Sequence, residues 1–184
     1  AIGNALEIQE VIEVLSDRGP EDLRELCLRL GAQMLKLSNI EVDVNKGRAI
    51  LEEVLKNGKA LEKLKELVAN QGGDVSVIED KNLFTIAEIA HEVKAQEKGY
   101  VYELNAEKVG IASLLAGAGR ETKDDVIDYG AGIILSKKMG SYVNEGDILA
   151  TIYTSDMSRI EKSEEMLLSA YTMSNEKPAK ADRK

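Results

Sequence analysis

The first ten residues, Ala1-Ile2-Gly3-Asn4-Ala5-Leu6-Glu7-Ile8-Gln9-Glu10, set an amide side chain and two carboxylates around a loop-to-helix junction. Asn4 followed three residues later by Glu7 has the pattern of a capping box. In that motif one side chain satisfies a free N–H at the helix start and the other reaches back. Glu7 is thereby committed to the cap, and Glu10 stands about one turn further on. Ile8, Val11, Ile12 and Leu15 then recur at helical spacing. A domain seldom begins at so well formed a junction, so the chain is expected to be the back part of something longer.

Four other groups of residues have chemistry to weigh. Gly117-Ala118-Gly119-Arg120 has the glycines of an anion cradle, but it follows a helical segment instead of preceding one. A helix C-cap with a tight turn is the better reading, with Arg120 bonding nearby carbonyls or a carboxylate. His91 is the single histidine and has neither the partners of a metal site nor those of a nucleophilic triad, so it reads as a surface or packing residue. Lys137-Lys138 followed by Val143 to Ile152 resembles a lipoyl or biotinyl carrier, whose modified lysine sits at the tip of the next hairpin. Here that stretch is Tyr153-Thr154-Ser155-Asp156-Met157 and holds no lysine, which favours shared topology without carrier function. Lys59 to Glu66, alternating Lys and Glu around leucines, reads as the solvated face of a helix.

Composition narrows the classes. The 184 residues suffice for one domain or two small ones, and 43% hydrophobic residues can build a core. Six Tyr, one Phe and no Trp leave the packing to aliphatic side chains. A net charge of −9 argues against nucleic acid and against acidic membrane surfaces as partners. Cys27 is the only cysteine, which excludes an internal disulfide and a cysteine-rich zinc site. It falls in the series Leu23, Leu26, Cys27, Leu30, Met34, Leu37 and is read as a buried small apolar residue. No apolar run approaches the roughly 20 residues that cross a bilayer. A soluble, reducing, cytoplasmic setting fits these features.

The elements that position these residues fall into two groups. Four helical segments fill the first 70 or so residues. The first runs from about Asn4 to Asp17. The second begins at Pro20, with Glu21 and Asp22 in its first turn, and reaches Leu37. A third is capped by Asp43 despite Gly47 near its start, and a fourth carries Leu61, Leu64, Leu67 and Val68 before Gln71-Gly72-Gly73-Asp74. Short connections imply antiparallel neighbours. Beyond Asp74 the pattern changes. Val75–Ile78, Ile86–Val93, Tyr100–Leu104, Gly132–Leu135 and Ile148–Tyr153 read as strands. A helix with Ile111, Leu114 and Leu115 lies among them, and a last helix, capped by Ser158, takes in Ile160, Leu167, Leu168 and Tyr171.

In this order, five short motifs resemble the C-terminal part of the pyrimidine-nucleoside phosphorylase family, which includes thymidine phosphorylase. They are Gly3-Asn4-Ala5-Leu6-Glu7, Gly19-Pro20-Glu21-Asp22-Leu23, Gln71-Gly72-Gly73-Asp74, Gly117-Ala118-Gly119-Arg120 and Val143-Asn144-Glu145-Gly146-Asp147. Each alone is a weak signal; their order across the chain is specific. The related anthranilate phosphoribosyltransferases lack the C-terminal α+β domain, so residues 85 to 157 favour the phosphorylases.

The resemblance implies an α/β plus α+β fold: the helical portion of a large α/β domain, followed by a barrel-sandwich-like α+β domain. The implied layout is a helical part over 1–74, a linker or short strand over 75–84, the α+β domain over 85–173 and a disordered tail over 174–184. It implies a cytoplasmic homodimer that cleaves pyrimidine nucleosides with phosphate, a pentosyl transfer of nucleoside salvage. The family's phosphate loop and base-binding residues lie upstream of the Gly-Asn-Ala-Leu-Glu motif, so no catalytic or substrate-binding residue is assigned here. One family site reaches in, a monovalent cation, potassium, held by backbone carbonyls before the motif and by a following Glu. On this sequence its surviving ligands would be the Ala1 carbonyl and the Glu10 carboxylate. Hard cations prefer such oxygen donors. The isolated chain is expected to be inactive, to leave the cation site empty and to expose an apolar face on its helices. The rival reading is a free-standing binding or scaffold module that keeps the fold without the active site.

Overall fold

The structure is a computed structural model that describes residues 1–120 and 122–179. The chain divides into two compact units, Ile8–Leu83 and a second formed by Ala1–Glu7 with the chain from Phe84 onward. The division falls within one helix. A two-residue strand β1 (Ile2–Gly3) leads directly into α1 (Asn4–Leu15).

The helical unit continues with α2 (Glu21–Leu37), α3 (Val44–Lys56), α4 (Lys59–Asn70) and a single-turn helix α5 (Ser76–Glu79). Pro20, with φ −57°, precedes α2, and the Asp43 carboxylate caps α3 by accepting the Asn45 N–H at 2.8 Å. Helices α2 and α3 pack through small residues. Gly31 leaves room for the Leu51 side chain, and buried Gly47 lies against the backbone of Ala32. A Cβ at Gly47 would come no closer than 3.5 Å to Ala32, an ordinary contact, so the packing does not itself demand glycine at this helix start. Arg48 clasps Glu25 through both guanidinium ends, at 2.9 and 2.7 Å, and Arg29 adds a third contact at 2.8 Å. These bonds, Arg48 first and Arg29 next, hold the Glu25 carboxyl down at about 2. The Lys59–Glu66 run is solvated as expected, with Lys63 paired to Glu66 and Lys65 to Glu62.

Two expectations for this unit fail. Residues 76–79, read as strand or linker, turn into helix because Asp74 accepts the Ser76 N–H at 2.8 Å and starts a turn. Cys27 is exposed. The inward face of α2 is carried by Leu28 and Ala32, and the longer apolar series containing Cys27 points the other way.

The α+β unit holds two antiparallel sheets. After β2 (Ile89–Lys94) and β3 (Gly99–Leu104) come α6 (Ala106–Ser113) and a π-helical turn, Leu114–Ala118. Then follow β4 (Gly132–Leu135), β5 (Tyr142–Val143), β6 (Ile148–Thr154), a 3₁₀ turn Met157–Arg159, α7 (Ile160–Ala170) and β7 (Tyr171–Ser174). One sheet has the order β1-β4-β6-β2 and the other β5-β3-β7. Val93, Ile133 and Ile152 from the first sheet meet Val109, Ala112 and Leu167 from α6 and α7 in the main core. A smaller core of Ala95, Val101, Val143 and Leu149 joins the second sheet to the start of β6. This is the α+β architecture expected for the C-terminal region, with aliphatic cores as the composition required.

Tyr171 leaves α7 and opens β7, paired with Leu104. Its half-buried hydroxyl donates to the Lys137 and Leu149 carbonyls at 3.0 and 3.3 Å, and burial pushes its pKa up to about 12. Ser174 ends β7, and the last five positions of the expected 174–184 tail lie outside the described residues. No helix among the described residues is long and apolar enough to cross a membrane.

Candidate functional site

The chemistry-bearing start of the chain is held by the α+β unit. Ile2 pairs with Ile133 and Gly3 with Gly132 along β1 and β4. At this crossing the two glycines face each other's backbones. A Cβ on Gly132 would lie 2.4 Å from the Ile2 carbonyl oxygen, and one on Gly3 2.6 Å from that of Ala131. Three further bonds fix the same segment. The Ser113 hydroxyl donates to the Ile2 carbonyl at 3.2 Å, the Asn4 side-chain amide to the Ala118 carbonyl at 3.0 Å, and the Ala5 N–H to the Tyr129 carbonyl at 3.0 Å.

The capping box is therefore realised in altered form. Glu7 does reach back, but its carboxylate accepts the Gly3 N–H at 3.0 Å. Asn4 is drawn away to the carbonyl of Ala118 in the π turn. That acceptor is 114 residues distant in sequence, out of reach of any local pattern.

The π turn explains Gly117-Ala118-Gly119-Arg120. Gly117 adopts φ +112°, a conformation side chains rarely take, and ends the helical hydrogen bonding. The carbonyls of the four residues from Leu115 to Ala118 are all taken. Leu115 accepts from the Arg159 guanidinium at 3.4 Å, Ala116 from the Thr154 hydroxyl at 2.8 Å, Gly117 from the Asp128 N–H at 3.0 Å, and Ala118 from Asn4. Acceptors of this kind repel anions. The segment works as a helix terminus, as its place in the sequence indicated. Asp128 beside it accepts the Gly130 N–H at 2.9 Å through Oδ1, while its buried Oδ2 has no hydrogen-bond partner.

The two expected cation donors fall in different units, Ala1 in the α+β unit and Glu10 in the helical unit, and both are half-buried. A backbone carbonyl and a carboxylate are the oxygen donors a hard monovalent cation takes. Among the described residues no group of three or more His, Cys, Asp or Glu could hold a metal ion. His91 on β2 pairs with Glu164 on α7 at 2.9 Å, tying helix to sheet as a packing residue does. The segment Tyr153–Met157 is a strand-to-helix junction: Thr154 is buried at the end of β6, and Asp156 caps the following turn by accepting the Ser158 N–H at 2.9 Å. A carrier hairpin tip has no counterpart there. Asp156 also takes the capping role assigned to Ser158.

The fold and these contacts define a C-terminal α+β domain that grips a loop-to-helix segment far from it in sequence. Residues 100–174 match the family model for the pyrimidine nucleoside phosphorylase C-terminal domain. The chain is 50% identical over 154 residues to a pyrimidine-nucleoside phosphorylase of Staphylococcus haemolyticus, and 50% over 153 residues to one of Bacillus subtilis. A Staphylococcus aureus relative of the same name is 48% identical over 154 residues. Matches to the first and third cover 84% of this chain and 36% of the relative, those to the second 83% and 35%. The chain thus spans about a third of the length of these curated relatives. Residues 100–174 thus carry the C-terminal domain of that family, and most of the chain is similar to these relatives over about a third of their length.

Proposed function

We propose that this chain is the C-terminal portion of an enzyme that cleaves pyrimidine nucleosides with phosphate, releasing the free base and a pentose 1-phosphate. The observation that carries this reading is half-identity, across most of the chain, to curated proteins named for that activity. Phosphorolysis has an oxocarbenium-like transition state, so phosphate must be held beneath the sugar while the departing base is stabilised. No residue here is assigned to either task. The contribution of this portion is positional. The Ser113, Asn4 and Tyr129 contacts, with the β1–β4 pairing, fix the segment from which α1 departs. The whole enzyme acts as a cytoplasmic homodimer of nucleoside salvage, with phosphate and a pyrimidine nucleoside as substrates.

The same reading gives the Ala1 carbonyl and the Glu10 carboxylate to a bound potassium ion, which supplies fixed positive charge near the phosphate. Glu7 is given the cap instead, one of its carboxylate oxygens accepting the Gly3 N–H.

The test is release of free base from uridine and thymidine in phosphate buffer. The 184-residue chain should give no turnover, and a polypeptide of the relatives' full length ending in this sequence should turn over. Turnover by the 184-residue chain would refute the division of labour. A silent full-length polypeptide would favour the non-catalytic module instead. For the cation, thermal stabilisation of the full-length polypeptide by potassium over lithium should disappear in Glu10→Gln.

A further inference from the structure

Asn57-Gly58 is the one asparagine–glycine pair in the chain. It stands where α3 ends and α4 begins. Asn57 closes α3 with φ −87°, and Gly58 enters α4 from the left-handed region with φ +78°. The Asn57 Oδ1 accepts the Lys59 N–H at 3.1 Å. That bond closes a ring through the Gly58 peptide and folds the Asn57 side chain back over the Gly58 nitrogen, as in an Asx turn. The Asn57 Nδ2 reaches the Glu53 carboxylate at 3.5 Å, the far limit of a hydrogen bond.

The groups of a cyclisation are thus side by side. The side-chain carbonyl is the electrophile, polarised by the Lys59 N–H and by the positive end of α4. The Gly58 nitrogen is the nucleophile. Every other asparagine is followed by a residue with a side chain, which obstructs such an approach; glycine does not. The amide NH2 is the leaving group, and its weak contact with Glu53 holds it loosely. One contact opposes the reaction. The Gly58 N–H donates to the Leu55 carbonyl at 3.2 Å, in the last turn of α3. This bond must open before the nitrogen can turn to Asn57, so fraying of that turn sets the pace. Every protein atom involved belongs to residues 53–59.

We propose that Asn57 is a site of spontaneous covalent modification, converted through a cyclic imide to aspartyl and isoaspartyl forms in the folded chain, at a pace set by the last turn of α3. The Gly58 nitrogen bonds to Asn57 Cγ and the Cγ–Nδ2 bond breaks; the proton lost by the nitrogen leaves with the amide as ammonia. Water then opens the imide ring on either side. Opening at Cγ gives aspartate, which keeps the bond to the Lys59 N–H and adds negative charge at the start of α4. Opening at the main-chain carbonyl gives isoaspartate, which puts an extra methylene into the α3–α4 connection. The inference is independent of the phosphorolytic reading.

Peptide mapping by mass spectrometry tests it, on the purified 184-residue chain held folded in mildly alkaline buffer at body temperature. The peptide containing Asn57 should gain about 1 Da and split into two isomers, severalfold faster than any other asparagine peptide changes. One isomer should accept a methyl group from an isoaspartyl methyltransferase. Asn57→Gln, whose longer side chain closes a ring far more slowly, should lose the change while helical circular dichroism is kept. Lys56→Gly loosens the last turn of α3. It should speed conversion severalfold in the folded chain and leave the rate in urea unchanged. Conversion confined to urea, or arising first at another asparagine, overturns the proposal. A folded-chain rate indifferent to Lys56→Gly overturns it equally.

Discussion

Replacing Thr154 by Val tests whether the π turn is held from outside by side chains. Thr154 is fully buried at the end of β6, and its hydroxyl donates to the Ala116 carbonyl at 2.8 Å. Ala116 is buried as well, so with the hydroxyl gone water cannot easily reach that oxygen. An orphaned buried acceptor costs about 1–3 kcal/mol. The same hydroxyl accepts the Asp156 N–H at 3.2 Å, but Asp156 is exposed and its N–H can turn to water at little cost. Valine keeps the shape and adds a methyl group to the core, which returns at most about 0.8 kcal/mol. The net loss should be about 1–2 kcal/mol. For a chain of this size that lowers the thermal midpoint by about 2–8 °C. Urea unfolding followed by circular dichroism should show a lower midpoint with an unchanged slope. A change below about 0.5 kcal/mol, the scatter expected of an inconsequential substitution, would mean that the bond contributes nothing, and the account of the turn would fail.

Three further outcomes follow from the same geometry. Gly117→Ala meets no atom closer than 3.6 Å, so its cost should be that of the φ +112° backbone alone, about 1–3 kcal/mol, read from the same urea curves. Asn4→Ala should raise amide exchange at Gly3 and Ala5 severalfold while leaving β3 protected, since only the N-terminal anchor is cut; uniform exchange changes would contradict this. Glu25 is ionised more readily in the folded chain, at about 2, than at its ordinary 4.5. Its contribution is therefore complete above about 4.5 and is lost as pH falls from there toward about 2. The pH-dependence of stability across that window should flatten in Glu25→Gln.

The four longer helices, α1 to α4, were legible because their signals are local. Asp43 caps α3, Pro20 precedes α2, and apolar spacing marks each face. Strands Gly132–Leu135 and Ile148–Thr154 were legible for similar reasons, with Gly or Asp at their entries. Strand β7 was not, because Tyr171 follows Ala170 without a turn residue and continues the apolar spacing of α7. Strands β1 and β5 have two residues each, too few for any alternation to show. Periodicity also says that a face of α2 is apolar without saying which side is covered, which is why Cys27 was placed inside. The setting of the Gly-Asn-Ala-Leu-Glu segment was hidden for a third reason. Its partners, Ser113, Ala118 and Gly132, are more than a hundred residues away, and nothing in the local sequence of either party announces the other.

The pairing of Ile2–Gly3 with Gly132–Ile133 makes the helical unit an insertion within the α+β unit, not a predecessor of it. During synthesis the first strand must wait for more than a hundred residues before its partner exists, a loop closure that slows folding of the sheet relative to the helices. A domain cut at Phe84 would emerge with β4 as a bare edge. Its unpaired N–H and C=O groups would be open to any neighbouring strand, and such a truncation should aggregate where the longer chain does not. Two residues at one end of the chain thus act as the selvedge of a sheet built from the other.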